Sequence, residues 1–124
     1  MVALDAHKLH LAYVGDLDRQ LAVLDELEAY QRANEDYFHL PYTIQERWFA
    51  HAAAGRFDDA LRVLDDAINV ASEFGTPIAA GPARAWRCEV LTAAGRFGEA
   101  LGAAEQLTQL DSAVDMAWFG GWYA

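Results

Sequence analysis

The sequence predicts an all-α fold: three helical hairpins stacked side by side, followed by a C-terminal helical cap. Three observations predict it. A phrase recurs, as GRFDDALRVLDD at Gly55–Asp66, GRFGEALGAAEQ at Gly95–Gln106 and, more faintly, GDLDRQLAVLDE at Gly15–Glu26. Its leading glycines stand 40 residues apart each time, a step in the range of stacked-repeat architectures. The apolar residues around each phrase are spaced by three and four, the helical period, and no stretch reads clearly as a strand.

Each element follows in order. The first unit, about residues 1–38, opens MVALDAHKLHLAYVGD, where Asp5, His7, Lys8 and His10 interrupt the apolar residues and exclude a secretory leader. Its second helix carries Leu17, Leu21, Leu24 and Leu27 on one stripe. Gln20 stands where the later units have Ala60 and Ala100, which predicts a looser, more terminal unit. The second unit, about 41–76, has a first helix over Tyr42–Ala54 with Ile44, Trp48, Phe49 and Ala52 on one face. Pro41 opens it, where a missing N–H is harmless, and Gly55 ends it in a left-handed cap. Asp58 and Asp59 then suit the positive end of the next helix, whose stripe is Ala60, Leu61, Leu64, Ala67 and Ile68. Gly75, Thr76 and Pro77 stop it. The third unit, about 79–112, begins after a loop marked by Gly81-Pro82 and repeats the stripe as Phe97, Ala100, Leu101, Ala104 and Leu107. Phe57 and Phe97 are both expected in the core. Residues 113–124 form the C-terminal segment.

At 124 residues and 54% hydrophobic, the chain is one domain with a modest core. Nine Lys and Arg against 19 Asp and Glu give a net charge of −10. That balance excludes direct nucleic-acid binding, disfavours anionic membrane surfaces and favours a basic partner. No apolar run reaches the roughly 18 residues of a membrane span. The one cysteine, Cys88, excludes an internal disulfide and a Cys-rich zinc site, and fits a reducing cytoplasm.

Residues that could carry chemistry are few. His7 and His10 could share a metal on one helix face, with Asp5 or His51 as a third ligand, but no metal motif completes the set. His51 with Glu46 and Cys88 could form an acid–base or thiol pair, although Cys88 is expected as an inert packed thiol. His39 has no evident companion in its loop, and DELE at Asp25–Glu28 and NED at Asn34–Asp36 read as solvated acidic faces. Arg84 and Arg87 beside Trp86 could bind a carboxylate or phosphate, or pair with nearby acids. No catalytic residue, metal or cofactor is expected.

Gly55, Phe57 and Ala60, then Gly95, Phe97 and Ala100, with Leu64 and Ala67 following, resemble the tetratricopeptide repeat. The chain departs from that family in its longer step, against a usual period of about 34, and in Trp48, which occupies a usually small position. The resemblance implies a right-handed superhelix whose first helices line a concave groove. Its groove positions fall on Asp5, Leu9 and Tyr13, on Tyr42, Gln45, Phe49 and Ala52, and on Ala85, Glu89 and Thr92. An aromatic, acidic groove of this kind implies a non-catalytic module binding a basic or apolar protein or peptide. AAGRFDDAL and AAGRFGEAL are further similar to the sensor arrays of large ATP-dependent LuxR-type bacterial regulators, which implies a cytoplasmic sensor or scaffold. The alternative expectation is a small-molecule or peptide-signal sensor with a closed apolar pocket bounded by Tyr13, Phe49 and Trp86. In the tail, Trp118, Phe119, Trp122 and Tyr123 read as a cap on the last hairpin or as a self-association surface for a homodimer.

Overall fold

The computed structural model describes residues 1–109, and all regular structure among them is helical. The helices are α1 (Val2–Val14), α2 (Leu17–Ala33), α3 (Leu40–Gln45), α4 (Trp48–Ala53), α5 (Phe57–Glu73), α6 (Ala80–Ala93) and α7 (Phe97–Gln109), with a 3₁₀ turn at Pro77–Ala79 before α6. They pack as three hairpins: α1 on α2, α3 and α4 on α5, and α6 on α7. Consecutive hairpins touch where α2 meets α3 and α4, and where α5 meets α6.

The recurrent glycines make the turns inside the hairpins. Gly15, Gly55 and Gly95 have φ of 79°, 75° and 73°, a left-handed conformation that a Cβ disfavours. The residue after each glycine donates its N–H back to the helix it leaves: Asp16 to Leu11 O at 3.0 Å, Arg56 to His51 O at 2.9 Å and Arg96 to Leu91 O at 2.8 Å. These bonds satisfy carbonyls that a helix end otherwise strands. The turns between hairpins repeat too, with Asp36 N–H on Gln31 O at 2.9 Å and Thr76 N–H on Ala71 O at 2.8 Å. Gly75 has φ 66° there, and Glu35, its counterpart one unit earlier, takes the same left-handed form at φ 55°.

The main core lies between the second and third units. Leu40, Ile44, Leu61, Leu64, Val90 and Leu91 form it, with Ala60, Ala67, Ala83 and Ala100 keeping the helices close. Each buried leucine contributes about 1.5–3 kcal/mol, so this cluster dominates the apolar stabilisation there. Tyr37 and Phe74 stack face to face at 4.0 Å, joining the two inter-hairpin turns.

Several expectations are corrected. The helix expected over Tyr42–Ala54 is broken at Glu46–Arg47, whose ψ values of −18° and −20° tighten the backbone into a turn. Arg47 N–H accordingly bonds to Ile44 O, three residues back, at 3.4 Å. Gly81 and Pro82 lie inside the first turn of α6 rather than in a loop, a place where proline's missing N–H does no harm. Gln20 is buried, and its Oε1 has no hydrogen-bond partner among the described residues. Phe57 is half-buried against the core, but Phe97 is 67% exposed, because no described helix follows α7 to cover it. The C-terminal cap expected at 113–124 lies outside the described residues.

Candidate functional site

The groove positions divide sharply. Leu9, Phe49 and Glu89 occupy the same place in successive units, and all three are open to solvent on α1, α4 and α6. Tyr13, one turn beyond Leu9, is 90% exposed. Asp5 is exposed and lies 2.8 Å from Lys8 Nζ. Tyr42 and Ala52 are half-buried, and Thr92 is exposed. Gln45 is corrected: at 1% exposure it is inside the protein and offers nothing to a partner, and Ala85 is buried as well. They stand four residues before the open positions Phe49 and Glu89.

Phe49 is the outer member of a ring series. It meets Trp48 edge-on at 5.7 Å, and Trp48 stacks on Trp86 at 5.6 Å. Trp48 and Trp86 pack against the main core, so the series runs from surface to interior. Tyr13 is too exposed to wall a pocket with Phe49 and Trp86, so the three do not bound an enclosed apolar cavity.

Sequence reasoning missed a second surface. A cleft of about 420 Å³ lies between α2 and α5, over the α3–α4 break. Ile44, Val63 and Val70 supply its apolar part, and Asp25, Glu28, Asp66 and Glu73 its acids. Arg47 crosses it with Nη2 2.8 Å from both Asp25 Oδ1 and Glu28 Oε2, and Arg32 reaches Glu28 Oε1 at 2.8 Å. The DELE run is therefore partly spent on holding two hairpins together. Its signal lay in the spacing, because Arg47 and Asp25 recur one unit later as Arg87 and Asp65, paired at 3.4 Å.

Glu46, the other residue of the break, turns toward α1. Its Oε2 lies 2.6 Å from Nζ of Lys8, a buried lysine that thereby gains two carboxylates. Burial lifts the Glu46 carboxyl above its ordinary value, against the hydrogen bond and charge of Lys8 that pull it down.

His51, Cys88 and His39 have local partners. Burial and the nearby Arg56 hold the His51 imidazole below its usual range, and Arg56 Nε donates to its Nδ1 at 3.3 Å. Burial pushes the Cys88 thiol up, and its Sγ donates to Arg84 O at 3.5 Å, the state of an unreactive thiol. His39, expected without a companion, has Nδ1 2.8 Å from Asp36 Oδ1. Among the described residues, no group of three or more His, Cys, Asp or Glu side chains could hold a metal ion, and no helix is long and apolar enough to cross a membrane.

No protein-family model, no curated protein and no solved structure matches this chain.

Proposed function

We propose that the chain is a non-catalytic module that binds a protein or peptide segment, built as a right-handed tetratricopeptide-like superhelix. The observation that carries this reading is the row of equivalent positions on successive first helices, Leu9, Phe49 and Glu89, all left open to solvent, with Tyr13 beside them. Two apolar side chains and an acid at one repeat step suit an extended or helical segment with apolar anchors and a few basic residues. The net charge of −10 favours such a ligand at long range. Phe49, braced by Trp48, is the rigid aromatic anchor of the surface. A sensor or scaffold role within a bacterial regulator is the setting that its repeat phrases imply.

The test is selection of short peptides from a random display library against the purified chain. Enriched peptides combine Lys or Arg with apolar residues, and Phe49→Ala weakens the best of them by about tenfold or more. Enrichment of acidic peptides, or unchanged affinity in Phe49→Ala, would overturn the reading.

A further inference from the structure

The two internal junctions share one device. Arg47 on α4's leading turn pairs with Asp25 on α2, and Arg87 on α6 pairs with Asp65 on α5. In both, a first-helix cation meets a second-helix acid of the preceding unit, and the two pairs are one repeat step apart. Continuing the series by one step in each direction reaches Glu105 on α7 and His7 on α1. Both are exposed, and among the described residues neither side chain makes a hydrogen bond or ion pair. Among the described residues, α7 thus presents the acid of a junction, and α1 presents a side chain able to carry its cation.

The surroundings match in the same register. On α5 the junction face is Leu61, Leu64, Asp65 and Ile68, all packed or half-buried. On α7 the same positions are Leu101, Ala104, Glu105 and Thr108, and Leu101 is 63% exposed. On α6 the facing stripe is Ala83, Arg87 and Val90, of which both apolar members are fully buried. Its counterpart on α1 is Ala3, His7 and His10, all exposed. Small Ala3 leaves room for a neighbouring helix, as Ala83 does inside the molecule.

We propose that the chain assembles head to tail with a second copy of itself, α7 of one protomer packing on α1 of the next as α5 packs on α6. Glu105 of one protomer then meets His7 of its partner, and Leu101 meets His10. This surface is separate from the open row of Leu9, Phe49 and Glu89, so the inference stands apart from the peptide-binding reading. A single helix-on-helix contact is small beside the roughly 1,200–2,000 Å² of stable complexes, so the association is weak and concentration-dependent. Because the two faces differ, the contact is heterologous and adds protomers until a ring closes or a filament grows.

Sedimentation equilibrium on the full chain, from about 10 μM to about 1 mM, covers the range of weak association. The expected mass rises with concentration and passes the dimer. His7→Arg, which installs the cation of the internal junctions, tightens assembly by about two- to fivefold, a gain that misfolding cannot mimic. Leu101→Lys blocks one face and His10→Lys the other. Each variant alone stays monomeric with unchanged helicity, and their mixture forms a one-to-one dimer and nothing larger. A wild-type chain that stays monomeric throughout overturns the proposal, as does self-association of either blocked variant to the wild-type extent. A chain that assembles only after residues 118–124 are deleted also overturns it, by assigning the α7 face to the protein's own end.

Discussion

Gly55–Asp66 and Gly95–Gln106 are near-copies with the same backbone and opposite fates. Their glycines share a left-handed φ of 75° and 73°, and their turns close with the same carbonyl bond, at 2.9 and 2.8 Å. Yet Leu61 is 7% exposed and Leu101 63%. Phe57 is packed against the core while Phe97 projects from it. The phrase dictates a turn and an amphipathic helix, whereas the helix packed beside it dictates whether the apolar stripe becomes core. α5 is packed between α3–α4 and α6, whereas among the described helices α7 packs chiefly on α6 alone. A repeat protein therefore carries at its edge the same adhesive surface that it uses inside, and that edge is either capped or a contact site.

The comparison can be broken most decisively at its leucines. Leu61→Ala is expected to destabilise the fold by about 2–4 kcal/mol, because it empties a packed site. Leu101→Ala should change stability by no more than about 0.5 kcal/mol in dilute solution. Urea titrations of the two variants at low concentration check this, and equal losses would mean that α7 is covered after all.

The glycines sharpen the other half. Gly55→Ala and Gly95→Ala should each cost about 1–2 kcal/mol and match one another closely, because the penalty is backbone strain alone. A Cβ at either position meets nothing within 4 Å. Unequal losses in thermal unfolding would show that the turns are not equivalent.

Junction pairs come next in size. Arg47→Ala removes a nearly buried guanidinium shared by two acids at 2.8 Å, an expected loss of about 1–2 kcal/mol. Arg87→Ala removes a more open pair at 3.4 Å and should lose under about 1 kcal/mol. Chemical denaturation of the two variants ranks them, and the reverse order would contradict the stronger anchoring of the first unit.

The pH dependence of that first junction follows from Glu46. Its folded carboxyl titrates above 4.5, the ordinary value, so the folded state holds the proton more tightly than the unfolded chain. Its contribution to stability is thus fully present below pH 4.5 and is lost as pH rises through the raised folded value. Glu46→Gln should remove that part of the slope in stability against pH, and an unchanged slope would place the titration elsewhere. The smallest effect belongs to the inter-hairpin turns: Glu35→Gly, which copies Gly75, should stabilise by up to about 1 kcal/mol in thermal melts.

What the sequence by itself determined is everything local to the repeat: the all-helical character, the three hairpins, the turn at each glycine and the stripe that follows it. Those features depend on backbone preference and helical period, which act over a few residues. Only the tertiary structure decided which stripe is core. It buried Gln45 although its type and place read as groove, exposed Phe97 although its phrase reads as interior, and broke the helix at Glu46–Arg47 where no glycine or interior proline marks a bend. It also joined Asp25 to Arg47 and Asp65 to Arg87 across junctions. Both pairs join residues 22 positions apart (47 − 25 and 87 − 65), and desolvation and charge pairing act through space, so the packed neighbours must be in place before a side chain's environment exists.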